Sequence, residues 1–109
     1  MLSKQDRINT ERFREIIENG KNVRSSVIFT KFLPNKDNSR FAVSVPKKVI
    51  KGAIERHLLK RRIMASLRRK KDVFPNGDYI VFATEHIIGS RGAVLDTIIE
   101  DLAGKVASE

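Results

Sequence analysis

Between Lys47 and Lys71 the chain reads KKVIKGAIERHLLKRRIMASLRRKK, and no fold of this size can bury such a segment on all sides. Eleven of its residues are Lys or Arg against one acid, Glu55, a local charge of +10 in a chain whose formal net charge is +9. Everything outside it sums to −1, so the charge is concentrated rather than spread as a solubility coat. One side of the segment must face water or a polyanion, and the other must anchor to a core.

Apolar spacing supplies that anchor. The segment predicts a helix from about Lys51 to Lys71, with Leu59, Ile63 and Leu67 on one apolar stripe and Ile54, Leu58 and Ala65 on a second. Both stripes are expected in a core. Between them, His57, Lys60, Arg61, Met64, Arg68 and Lys71 share an arc about 100° wide that contains no acid. Lys51, Glu55, Arg62 and Arg69 form a mixed-charge face. An acid-free basic arc repels itself unless a polyanion offsets it, which favours a phosphate-docking surface over a merely solvated face. Arg suits bidentate phosphate contact and Lys supplies point charge. A membrane surface ranks low as the polyanion, because large apolar residues would have to flank the arc in the open.

The helix is framed by two strand-like runs, RFAVSV from Arg40 to Val45 and YIVFA from Tyr79 to Ala83, and serves as a crossover if they pair in parallel. A third run, SSVIFTKFL from Ser25 to Leu33, also reads as a strand. The segment from Pro34 to Ser39 and Pro75-Asn76-Gly77-Asp78 read as turns. An N-terminal helix carries Phe13, Ile16 and Ile17, capped by Asn9 or Thr10 and stopped by Gly20. Ser90 is a candidate cap for a last helix with Leu95, Ile98, Ile99, Leu102 and Val106 facing inward. The expected order is α-β-β-α-β-α, an α/β (α+β) two-layer sandwich in one domain over residues 1–109.

Chemistry of catalysis is sparse. His57 and His86 are the only histidines, cysteine is absent, and no paired carboxylates or HExxH arrangement occurs. Gly89, Gly92 and Gly104 lack the spacing of a phosphate-cradling loop. Lack of cysteine fits a reducing cytoplasm, and neither a signal-peptide core nor a membrane-length apolar run is expected. The chain thus reads as a binding component. His57 has no second metal ligand one turn on, and reads as a donor within the basic surface. Phe13 and Phe29 are core residues or base-stacking platforms, and Met64 packs on sugar or is tolerated in the arc.

RFAVSVPKKVIKGAIERHLLKRR resembles the signature of the bacterial ribonuclease P protein component: a strand, a Lys-Lys pair, then a helix with an Arg-Asn-Arg core and a following Lys-Arg. The start around Phe13, the run DYIVFA and the closing helix are similar too, so the resemblance extends from about Arg7 to Val106. It implies a protein that binds a large catalytic RNA, which removes the 5′ leader of precursor tRNA with metal ions. It implies Mg2+ for that reaction and no cofactor on the protein alone. It also implies a left-handed β-α-β crossover, against the usual handedness.

The resemblance further implies RNA contacts at Lys47, Lys48, Arg56, Lys60 and Arg61, and the basic surface adds Lys51, His57 and Arg68 as expected contacts. It implies a leader-binding cleft between the first helix and the sheet, with Phe13, Ile17, Phe29 and Lys31 as candidates. By strand alternation Phe29 and Lys31 share a face. Four positions depart from the pattern: His57 stands where Asn is usual, Leu58 where Arg is usual, Met64 where Arg is common, and Ile17 where a second aromatic is frequent. Arg62, Arg68 and Arg69 are available to compensate. Two rivals share some of these features. A ribosomal or general RNA-binding protein needs the basic face but no single-strand cleft, and a stand-alone nuclease needs a carboxylate or histidine cluster.

Overall fold

The computed structural model describes residues 8–25 and 27–109. Arg7, where the family resemblance begins, and Ser26, in the first expected strand, lie outside the described residues. Helix α1 (Thr10–Asn19) is capped by Asn9, whose side chain accepts from the Arg12 amide at 2.8 Å. It ends at Gly20, where a Cβ would lie 2.4 Å from the Ile16 carbonyl oxygen and 3.2 Å from that of Phe32. Only glycine allows so close an approach between helix end and strand.

Four strands follow in the order α-β-β-β-α-β-α: β1 (Lys21–Arg24), β2 (Ile28–Pro34), β3 (Ser39–Ser44) and β4 (Gly77–Ala83), with α2 (Ala53–Arg69) between β3 and β4 and α3 (Gly92–Ala107) last. The sheet order is β1-β2-β4-β3. β1–β2 and β2–β4 are antiparallel, and β3–β4 is parallel, so α2 is the crossover. The expected order lacked β1. That edge strand has one apolar residue, Val23, and only Val23 of its four is buried. The expected strand from Ser25 starts later, because Ser25 Oγ accepts from the amides of Val27 and Ile28 and holds a turn there.

Alternation sorts the sheet into two faces. Val23, Ile28, Phe32, Phe41, Val43, Tyr79, Val81 and Ala83 share a core with Leu59, Ile63 and Leu67 of α2 and with Leu95, Ile99, Leu102 and Val106 of α3. Tyr79 stacks between Phe32 and Phe41, at centroid distances of 5.4 and 5.3 Å. On the opposite face α1 covers Ile80, and Ile16 and Ile80 are both fully buried. Helices therefore stand on both faces, giving three layers where two were expected, with α1 covering only part of its side.

Two further expectations fail. Ile54 is 75% exposed and Leu58 50% exposed, so the second apolar stripe of α2 is not core. It lies roughly 150° round the helix from the Leu59–Ile63–Leu67 stripe, and a helix packed from one side cannot bury both. Ser90 does not cap α3: Arg91 is the N-cap residue and makes no side-chain cap bond. Helix α2 itself is shorter than expected, with a separate 3-10 turn at Lys71–Val73.

Candidate nucleic-acid interface

The cations of α2 differ in their protein partners. Arg69 and Lys70, in the last turn and just beyond it, are neutralised by α3: Arg69 Nη2 lies 2.7 Å from Asp96 Oδ1 and Lys70 Nζ 2.7 Å from Glu100 Oε1. The Arg69 hydrogen bond and then that of Ser66, whose Oγ donates to Asp96 at 2.6 Å, hold the Asp96 carboxyl below the usual carboxylate range. Asp96, Glu100 and the buried Ser66 carried no signal in the basic periodicity, because their partners come from another helix. His57, Lys60, Arg61 and Arg68 are all exposed and have no ion-pair partner among the described residues. Met64 is half-buried against the core rather than a break in the charged surface.

Arg56 has a different position. Its Nη1 donates to the carbonyls of Lys51 at 2.6 Å and Ile50 at 3.2 Å, tying the start of α2 to the loop that carries Lys47, Lys48 and Lys51. Within that loop the amides of Val49 and Ile50 donate to the Pro46 carbonyl, making a turn that presents Lys47 and Lys48 to solvent. Departures from the helix-core pattern are thus spread over two surfaces, with His57 on the basic arc and Leu58 on the exposed apolar stripe.

Beside this arc runs a groove of about 670 Å³ along the free edge of β3, between α1 and α2. Phe13 and Ile8 form one wall, Ala42 to Val45 the floor, and Arg56, His57, Lys60 and Met64 the other wall. The groove joins Phe13 to part of the basic set; Arg61 and Arg68 lie outside it, on the outer surface of α2. The remaining cleft candidates separate. Lys31 Nζ donates to the Ile17 carbonyl at 3.0 Å, completing the C-terminal end of α1 where a cation also suits the helix dipole. Phe29 shares the α1-side face with Lys31, as alternation requires, but it lines a second groove further along the sheet.

One network sets the position of α1 over the sheet. Asp78 is fully buried on β4 and accepts from Arg12 of α1, Arg40 of β3 and Asn35 of the β2–β3 turn, at 2.6, 2.6 and 2.9 Å. Burial pushes its carboxyl up, but the hydrogen bonds from Arg40 and Arg12 outweigh it and hold the group below the usual range. Among the described residues no three His, Cys, Asp or Glu side chains cluster as metal ligands, and no helix is long and apolar enough to cross a membrane.

A family model described as ribonuclease P matches residues 2–106. The ribonuclease P protein component of Lactobacillus delbrueckii subsp. bulgaricus is 38% identical over 86 residues, spanning 75% of this chain and 71% of that protein. That of Lactobacillus johnsonii is 35% identical over 86 residues, 75% of this chain and 70% of its own length. Among solved structures, a Staphylococcus aureus RNase P protein mutant aligns with a TM-score of 0.80 at 26% identity, covering 96% of this chain and 90% of that one. The RNase P protein of Thermotoga maritima aligns with a TM-score of 0.76 at 25% identity, covering 90% and 96% respectively. With sequence and fold in agreement, the chain belongs to the bacterial ribonuclease P protein family, the protein subunit of the ribonucleoprotein endoribonuclease that matures the 5′ end of tRNA.

Proposed function

We propose that the unpaired face of α2, with Lys47, Lys48 and Lys51 at its entry, holds the catalytic RNA, and that the groove beside Phe13 receives the single-stranded 5′ leader of precursor tRNA. The observation that carries this reading is the division of the α2 cations. Arg69 and Lys70 are satisfied within the protein, whereas His57, Lys60, Arg61 and Arg68 stand without a protein counter-ion among the described residues. Arg56 acts here by holding the loop of the three lysines, and His57 and Lys60 face both the RNA surface and the groove.

In this reading the protein is a single domain over residues 1–109, works in the cytoplasm, needs no further protein partner, and does not cleave by itself. Its crossover is the left-handed one that the family resemblance implies. The Mg2+ of the reaction belongs with the RNA, and the described residues offer no cluster of ligands that competes for it. The protein raises the local affinity for two polyanions at once, and so lowers the metal concentration at which they meet productively.

The test is to incubate precursor tRNA with the protein, with the catalytic RNA, and with both at low magnesium. Efficient 5′ cleavage by the mixture alone is the expected result. Metal-dependent cleavage by highly purified protein without RNA contradicts the reading.

A further inference from the structure

We propose that Ile54 and Leu58, on the outward side of α2, receive the flat face of an unpaired nucleotide of the catalytic RNA, an apolar contact set inside the basic surface. This rests on the RNA face proposed above and adds a contact of different chemistry to it. Both side chains stand in solvent, one helical turn apart and therefore one above the other.

The core does not need this pair. Leu59, Ile63 and Leu67 already fix α2 to the sheet from the opposite side of the helix, and Ile54 and Leu58 add nothing to that packing. Their neighbours are basic. At about 100° per residue, Arg61 and His57 flank the pair on one side and Arg62 on the other. Arg61 and His57 are exposed and have no ion-pair partner among the described residues. The one acid of the segment is turned away. A Cβ on Gly52 would lie 1.8 Å from Glu55 Oε2, so the Glu55 carboxylate folds back over the start of α2, where the helix dipole favours it. Gly52 leaves room for that carboxylate, and the charge beside the apolar pair stays positive.

That border selects the occupant. A second copy of this chain could cover Ile54 and Leu58 with its own pair only by bringing one basic helix against another, and like charges in contact oppose such an interface. A nucleotide has the matching arrangement. Its base offers a broad apolar face, and the phosphates on either side reach the flanking guanidiniums. A base inside a duplex has both faces stacked already, so the contact calls for an unpaired one. The patch is also continuous with the RNA face, because Arg61 belongs to the basic arc and borders Leu58. Cations there fix the RNA by a salt-sensitive attraction, and the apolar pair adds an attraction that salt does not screen.

The experiment titrates the full chain onto its catalytic RNA at several salt concentrations. Leu58→Gln keeps side-chain length and helix propensity but removes the apolar surface. It should weaken binding about three- to tenfold, as expected for losing the burial of half a leucine side chain. The factor should be the same at every salt concentration, leaving the slope of log K against log salt at the wild-type value. Ile54→Ala should behave alike, and Leu58→Met, which stays apolar, should bind within about twofold of the wild type. Full affinity in both Leu58→Gln and Ile54→Ala, or losses that alter the slope, overturn the contact. So does a dimer of the free chain that Leu58→Gln dissociates, because the pair then faces a second copy. The reading beneath fails separately: a wild-type slope near zero overturns the RNA face and this contact with it. A steep wild-type slope with Leu58→Gln binding as tightly as the wild type overturns the contact alone.

Discussion

Arg12 Nε donates to Asp78 Oδ2 at 2.6 Å across 66 residues of sequence, and this contact ties α1 to an interior strand of the sheet. Asp78 accepts from Arg40 at both oxygens, so one buried carboxylate orients both the helix that carries Phe13 and the strand that floors the groove. Asp78→Asn leaves the Arg40 guanidinium without its ion-pair partner and Arg12 with only the exposed Glu15, 3.0 Å from its Nη1. Destabilisation of about 2–4 kcal/mol is expected, below the full cost of a deeply buried broken pair because both Arg side chains reach water. Urea unfolding checks it. The pH sign follows from the depressed carboxyl: its contribution is complete above the unfolded value near ~3.9 and is lost as pH falls through the lower folded value. Stability should decline on acidification below about pH 4, and the decline should be shallower in Asp78→Asn.

Helix α2 should separate binding from stability. Lys60→Ala and Arg61→Ala remove exposed, unpaired cations, and should weaken binding to the catalytic RNA while changing stability by about 0.5 kcal/mol or less. Ile63 is fully buried, and Ile63→Ala should cost roughly 2–5 kcal/mol. Binding and denaturation curves on the same variants check the pair. An unfolded Arg61→Ala beside a harmless Ile63→Ala would place the wrong face of the helix on the core.

Thr30 lies fully buried on β2, and its hydroxyl has no hydrogen-bond partner among the described residues. Thr30→Val replaces that hydroxyl with a methyl of similar size facing Val23 and Val81. A gain of about 1 kcal/mol is expected, measured by thermal or urea unfolding.

Phe13 is half-buried on the groove wall. If a leader base stacks there, Phe13→Ala should weaken precursor tRNA binding by the holoenzyme several-fold to a hundredfold and leave mature tRNA nearly unaffected. Loss of both together with a lowered melting temperature would instead mark Phe13 as a core residue, with Phe13→Leu as the gentler comparison.

The basic helix was legible because charge and apolar period coincide in one segment, and β3, β4 and α3 because their apolar runs are dense. Ile54 and Leu58 show where periodicity stops: it tells which residues share a side of α2, but not which side docks. β1 was hidden because Lys21-Asn22-Val23-Arg24 offers one apolar residue, and its strand geometry depends on pairing with β2. Asp78 read as part of a turn, since its partners Arg12 and Arg40 are distant in sequence. Phe29 and Phe82 likewise become cross-strand partners only once the register of β2 and β4 is set. Alternation put Lys31 and Phe29 on one face, but which face that is, and the bond of Lys31 to the Ile17 carbonyl, required the position of α1.

Salt dependence tests the central claim that the unpaired face of α2 is the RNA surface. With about six phosphates neutralised, a plot of log K against log salt for catalytic RNA should have a slope between about −4 and −5. Arg61→Ala should make that slope shallower by about one. Arg69→Ala, which removes a cation already paired with Asp96, should leave it nearly unchanged. A wild-type slope near zero, or an Arg69→Ala effect as large as that of Arg61→Ala, contradicts the account.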